Sequence, residues 1–172
     1  MQMVKRIVGG FFLSLILLWL FAPKVELYYF LEKKLKENKI VISNETITDT
    51  WYGIKIENAK LYVDSAKIAD IDEFNFSFFF LYNTLKIDNI KTDNSLSRLA
   101  PKEINTINAV YSIIQPLEIK LNGEGSIGVF DGTVELIKKR IEILFPVPKD
   151  LKSIKKFLKK DQEKGWLYET NY

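Results

Sequence analysis

Three short stretches of this chain carry residues able to do chemistry, and each points to a different kind. "DSAKIADIDE", residues 64–73, gathers Asp64, Asp70, Asp72 and Glu73, the raw material of a calcium site or an acid–base pair. A calcium loop of the EF-hand type alternates its ligands around a glycine at the bend, and this stretch has neither that spacing nor the glycine. A solvated strand edge accounts for it better. "GEGSIGVFDG", 123–132, offers the glycines of a phosphate cradle. It lacks the Lys-Ser/Thr that completes a nucleotide-binding loop, and the residues that follow are strand-like rather than helical, so its glycines read as turn residues. The third stretch is basic: Lys152, Lys155, Lys156, Lys159 and Lys160 crowd the region 149–160. Lysines near an anionic bilayer surface gain about 1 kcal/mol each from the headgroups. An acidic partner would suit them too, as would plain solvent around an amphipathic helix. The aromatic–basic interleaving of a single-strand nucleic-acid site is missing, and no nucleic acid is expected as a partner.

Two absences narrow the chemistry further. The chain has no cysteine, which removes disulfides, thiolate metal sites, a thiol nucleophile and a lipidated cysteine anchor. It has no histidine either, and with it go the commonest general base and the commonest metal ligand. No two carboxylates are brought together by spacing. The expectation is a protein without catalytic residues, metal or cofactor.

What the chain has in excess is aromatic surface. "FNFSFFF", 74–80, alternates so that Phe74, Phe76, Phe78 and Phe80 share one face of a strand, and Leu85 and Ile87 resume the pattern in "TLKIDNI". Each buried Phe contributes on the order of 1.5–3 kcal/mol, and four on one face would seldom be left in water. Three readings suit the run: one strand of a closed core, the wall of an apolar groove for lipid or peptide, or a strand of an outer-membrane barrel. The irregular polar alternation elsewhere speaks against the barrel.

The elements that must position this surface begin with an anchor. "IVGGFFLSLILLWLFA", 7–22, is free of charge, and Lys5, Arg6 and Lys24 are the only charged side chains in residues 1–24. Its sixteen residues would make about 24 Å of helix, and apolar flanks extend it towards a hydrocarbon core of about 30 Å. "LFAPK" is a poor cleavage site, with Leu20 two residues before Ala22 and Pro23 after it. An uncleaved signal anchor over 1–24 fits better than a cleaved signal or a buried core helix. Orientation is contested. The lysines at 24, 33, 34, 36 and 39 favour a cytoplasmic body by the positive-inside count, whereas a short basic start before an apolar segment is how export signals begin. Residues 25–39 then read as an amphipathic stalk helix with Leu27, Leu31 and Leu35 at i, i+4 and i+8, packed on the domain or resting on the bilayer.

From Ile40 the period falls to two. Ile54 and Ile56, Leu61 and Val63, Ile68 and Ile71, Leu117, Ile119 and Leu121, Val134 and Leu136, Ile141 and Ile143 alternate in short runs. That spacing predicts an antiparallel layer with one apolar face. Asn58-Ala59, Asn122-Gly123 and Asp131-Gly132 are read as turns, Asn-Gly being the strongest such signal in the chain. Residues 95–116 fit a helix through Ile104, Ile107, Val110 and Ile114 or a strand through Ile107, Ala109, Tyr111 and Ile113, with a lean to strand. Asp150 can cap a C-terminal helix through Leu151, Ile154, Phe157 and Leu158, and "GWLYETNY" can close the chain as a last strand. The overall expectation is a mainly β fold: a transmembrane helix, then a curved antiparallel meander over 40–172 ending in a short amphipathic helix.

The basic start and apolar anchor, "WYGIKIENAKLYVDS", the aromatic strand ending in "LKIDNI", and "LNGEGSIGVFDGTVEL" with "IEILFP" together resemble the type II secretion protein N family and the AsmA-like envelope proteins. The likeness covers the anchor and about residues 40–147. It implies an inner-membrane anchor, a periplasmic body in a Gram-negative cell and a curved sheet with an apolar inner face. It also favours the strand reading of 107–113 and an exported body. The implied role is that of an accessory or scaffold subunit of a secretion apparatus, with secretion subunits as partners. The alternative is a lipid-binding or lipid-transfer module that meets phospholipid. Neither family brings a catalytic motif. About ten strands at about 4.8 Å would make a sheet some 50 Å wide, near one bilayer thickness of about 45 Å and far short of an envelope-spanning conduit.

Overall fold

In a computed structural model the chain is described at residues 2–79, 81–161 and 165–172. It opens with helix α1, Gln2–Leu20, none of whose residues is buried. α1 is long and apolar enough to cross a membrane, a property that anchors and signal sequences share. Pro23, without an N–H to donate, stands at the start of helix α2, Lys24–Glu37. α2 docks on the body through Val25 and Tyr28, which join Ile54, Ile56 and Ala59 in a buried cluster. Its docked face differs from the leucine stripe expected from spacing, because Leu27 and Leu31 remain exposed. Polar reach decides the rotation. The Tyr28 hydroxyl donates to Glu45 Oε1 at 3.2 Å and Lys24 Nζ lies 3.5 Å from Asp49 Oδ1. Burial first, then the Glu45 carboxylate, push the Tyr28 phenol above its ordinary value.

Among the described residues the body is one open antiparallel sheet of eleven strands. They are β1 (Ile40–Ser43), β2 (Thr46–Thr50), β3 (Gly53–Val63), β4 (Ala66–Phe79), β5 (Tyr82–Thr92), β6 (Glu103–Ser112), β7 (Glu118–Gly125), β8 (Gly128–Glu135), β9 (Arg140–Pro148), β10 (Lys159–Asp161) and β11 (Gly165–Asn171). Neighbours in sequence are neighbours in space from β3 to β9. β1 and β2 both pair with β3 as one broken edge, and β11 inserts between β9 and β10. The β3–β4 turn is made by Asp64 and Ser65, both at positive φ (50° and 70°), the backbone that a two-residue hairpin requires.

Pleating separates two faces. On one, Ile56 pairs with Phe74, Phe74 with Ile87, Ile87 with Ile107 and Ala109 with Leu121. The other carries charge: Lys55 reaches Glu57 and Glu73, Lys86 reaches Asp88, and Arg140 reaches Glu135 and Glu169. The apolar face is covered at both ends. α2, β1 and β2 close one end over Ile54 and Ile56. At the other end Leu151, Ile154 and Leu158 fold back over Phe130 and Phe145.

The strand reading of 107–113 holds through Ser112, inside β6, and the final strand forms as β11. Three expected turns do not form. Asn122-Gly123 lies inside β7 and Asp131-Gly132 inside β8. A Cβ at Gly123 would stand 2.5 Å from the Thr106 carbonyl oxygen and closer still to the Phe130 ring, so the missing side chain serves close packing. Asn58, at φ 59°, is an irregularity within β3 that keeps Ile56 and Ala59 on one face. The C-terminal helix is also corrected. Asp150 Oδ1 does accept from the Lys152 backbone N–H, at 3.2 Å. Beyond it the chain makes turns and a single 3-10 turn at Lys155–Phe157. Leu158 is then extended, leading into β10 and its pairing with β11.

Candidate functional site

Between the two covered ends the apolar face stays open. Phe74, Phe76 and Phe78 line one face of β4, and across the ladder stand Ile87, Leu85 and Asn83 respectively. Phe76 and Phe78 meet edge to face, with ring centroids 4.1 Å apart, an arrangement that aromatic quadrupoles favour. Phe80 lies outside the described residues. Phe76, Phe78, Leu85, Ala109, Tyr111 and Ile119 enclose a groove of about 310 Å³. Its walls are half-buried rather than sealed, so the run does not simply disappear into a closed core.

Four of the six predicted apolar residues, Phe76, Phe78, Leu85 and Phe74, belong to the groove or its margin; Phe74 and Phe76 also pack against the α2-covered cluster. Ile87 continues the face towards a second apolar hollow of about 250 Å³, lined by Ile104, Ile107, Phe130 and Phe145 and roofed by Ile154 and Leu158. From Phe78 back to Phe74 is about 13 Å along the strand. Sequence reasoning missed Ala109, Tyr111 and Ile119 as groove lining. Their alternation was visible, but only the pairing of Ala109 with Leu85 and of Tyr111 with Asn83 brings them to the phenylalanines.

The predicted lysines lie elsewhere. Lys152, Lys155, Lys156, Lys159 and Lys160 are all exposed, on the segment that covers the Phe145 end and on edge strand β10. Lys155 Nζ stands 5.5 Å from the Trp166 ring centre, Lys156 Nζ 4.8 Å from that of Phe157, and Lys159 Nζ 3.5 Å from Glu169 Oε2. They do not border the groove. Among the described residues, no group of three acidic side chains is placed to hold a metal ion.

The charged face offers a stability test. Lys138 and Arg140 hold the Glu135 carboxyl below its usual range, and Lys55 and Asn75 do the same for Glu73. A carboxylate depressed in the folded state adds stability that is complete above its unfolded value, about 4.5, and that fades as pH falls through the lower folded value. The melting temperature should therefore drop as pH falls below about 4.5, and Glu135→Gln should flatten that drop in a thermal melt series. Both carboxylates remain partly exposed, 18% for Glu135 and 34% for Glu73, and salt should weaken the effect.

No family model, curated protein or solved structure matches this chain.

Proposed function

We propose that this protein is a membrane-tethered module that binds a phospholipid acyl chain, without a catalytic step of its own. In this reading α1 is kept as a single span of the inner membrane, and the sheet lies on the periplasmic side. The observation that carries it is the open groove in the apolar face of the sheet. Phe76, Phe78, Leu85, Ala109 and Ile119 wall a space that the chain's own two covers leave unfilled. Apolar pockets with few polar groups suit apolar ligands, and burying the half-exposed rings gains about 25 cal/mol per Å². Asn83 and Tyr111, at the groove's open end, supply the few polar atoms that would orient a headgroup.

The test is a phospholipid with a photoactivatable group near the end of its acyl chain, added to the full chain in detergent micelles. Peptides from 74–87 and 107–121 should carry the label after illumination. Label confined to α1 would refute the groove reading, because a bare span collects lipid in any case. If the same residues instead crosslink to secretion subunits, the accessory-subunit role implied by the resemblance replaces it. A reporter active only outside the cytoplasm, fused after Tyr172, reads the side of the membrane.

A further inference from the structure

Four connections end side by side at one edge of the sheet. Gly53 pairs with Ser77, Tyr82 with Ser112 and Glu118 with Glu135. The β2–β3, β4–β5, β6–β7 and β8–β9 connections therefore form a row. Turns ordinarily carry small polar residues because they face water. These carry Trp51, Leu81, Ile114 and Ile137, exposed to 81%, 56%, 88% and 71%. The opposite edge is more polar: Asp64-Ser65 form one connection, and another carries Asp93, Asn94, Ser95 and Arg98, with Leu99 exposed to 49% among them. Four large apolar tips in a row on one edge mark an interaction surface.

Helix α1 indicates what that surface meets. Trp19 Nε1–H donates to the Phe78 carbonyl oxygen at 2.8 Å, and its ring meets Phe79 edge-on at 5.4 Å. Further into the apolar helix, Phe12, Leu15 and Ile16 share one apolar hollow with Phe79 and Leu81. Phe12 lies about 10 Å along the helix axis from Trp19, so the β4–β5 tip runs beside the very segment that would sit in hydrocarbon. We propose that the bilayer holding α1 also takes the turn row. The sheet then stands on the membrane by this edge, with Trp51, Leu81, Ile114 and Ile137 below the headgroups. Lys138 and Lys139 directly follow Ile137, where long side chains can bring ammonium groups back to headgroup level. Tyr52 and Tyr82, next to these tips, are aromatics of the kind that favour the interface.

The groove's open end, at Phe78, Asn83, Tyr111 and Ile119, lies on the strand ends that reach this edge, so its mouth meets the bilayer at headgroup level, above the apolar tips. The lysines at 152, 155 and 156 lie on the segment that covers the Phe145 end, away from this edge, whereas Lys159 Nζ lies 3.5 Å from Glu169, which Arg140 beside the β8–β9 turn also reaches at 3.4 Å.

This inference rests on α1 being retained as a span and is independent of what fills the groove. Because the chain has no cysteine, single variants Phe12→Cys, Leu99→Cys, Ile114→Cys and Ile137→Cys each carry one fluorescent label. The full chain is reconstituted into vesicles of phosphatidylethanolamine and phosphatidylglycerol in equal parts. Quenching by acyl-brominated lipid is then compared with quenching by aqueous iodide. Labels at 12, 114 and 137 should be quenched by brominated lipid several-fold more than the label at 99, which should answer to iodide. Should the label at 12 respond to lipid while those at 114 and 137 respond to iodide as 99 does, the turn row lies in water and the proposal is overturned with the anchor intact. Should the label at 12 also report water, both fall together.

Discussion

Ala109→Trp should abolish acyl-chain crosslinking to the sheet while Val110→Trp leaves it intact. Ala109 is the smallest side chain lining the groove, with Leu85 on one side of it and Leu121 on the other. An indole there occupies the space an acyl chain would take, and adds apolar contact with Leu85 and Phe76 rather than a cavity. Val110 neighbours it in sequence, but its side chain stands on the charged face opposite Thr84 and Lys120. The same indole at that position crowds nothing the ligand touches. Both variants carry the same bulk in the same strand, so a general loss of folding would strike both, and far-ultraviolet strand signal and melting temperature check it directly. Labelling lost in the first and kept in the second supports the groove. Labelling kept in both removes the acyl chain from this site, whatever else the protein does.

The second large effect is on stability. Phe130→Ala should cost about 3–5 kcal/mol, the range for truncating a buried aromatic ring, because Phe130 lies in the cluster with Ile127, Phe145 and Leu151. Gly123→Ala should cost about 1–3 kcal/mol by overpacking. The added methyl would press on both the Phe130 ring and the Thr106 carbonyl. Since one of those obstacles disappears with the ring, the double variant should cost less than the sum of the two, which denaturant titration measures as a coupling energy. Strict additivity would mean that Gly123 and Phe130 do not touch, and the pairing of β7 with β8 would need another register.

That coupling also explains what was legible in the sequence. Alternation at 74, 76 and 78, resumed at 85 and 87, is a local property of extended chain, and it placed those residues on one face correctly. Asn122-Gly123 has the local appearance of a hairpin, but the glycine answers to a ring seven residues away, and no window around it contains that information. The segment after Asp150 begins as a capped turn, as its residues indicate. It is then drawn out at Leu158 by a ladder with β11, a partner that lies further along the chain. The apolar residues of the turn row stand in "DTWYG", "SIIQP" and "ELIKK", but alternation alone assigned Ile113 and Leu136 to strands. The row's meaning depends on register, because only the pairing of the strands puts these connections on one side.

The sheet's two borders are unlike, and neither invites extension. On one, β10 is three residues long and consists of Lys159, Lys160 and Asp161, all exposed. On the other, β1 and β2 are short strands broken at Asn44, which sits at φ 66°. Brief, charged or kinked margins are how natural sheets refuse a further strand. Copies of this protein should therefore not polymerise side to side into a longer trough. A longer trough would need other molecules at these borders.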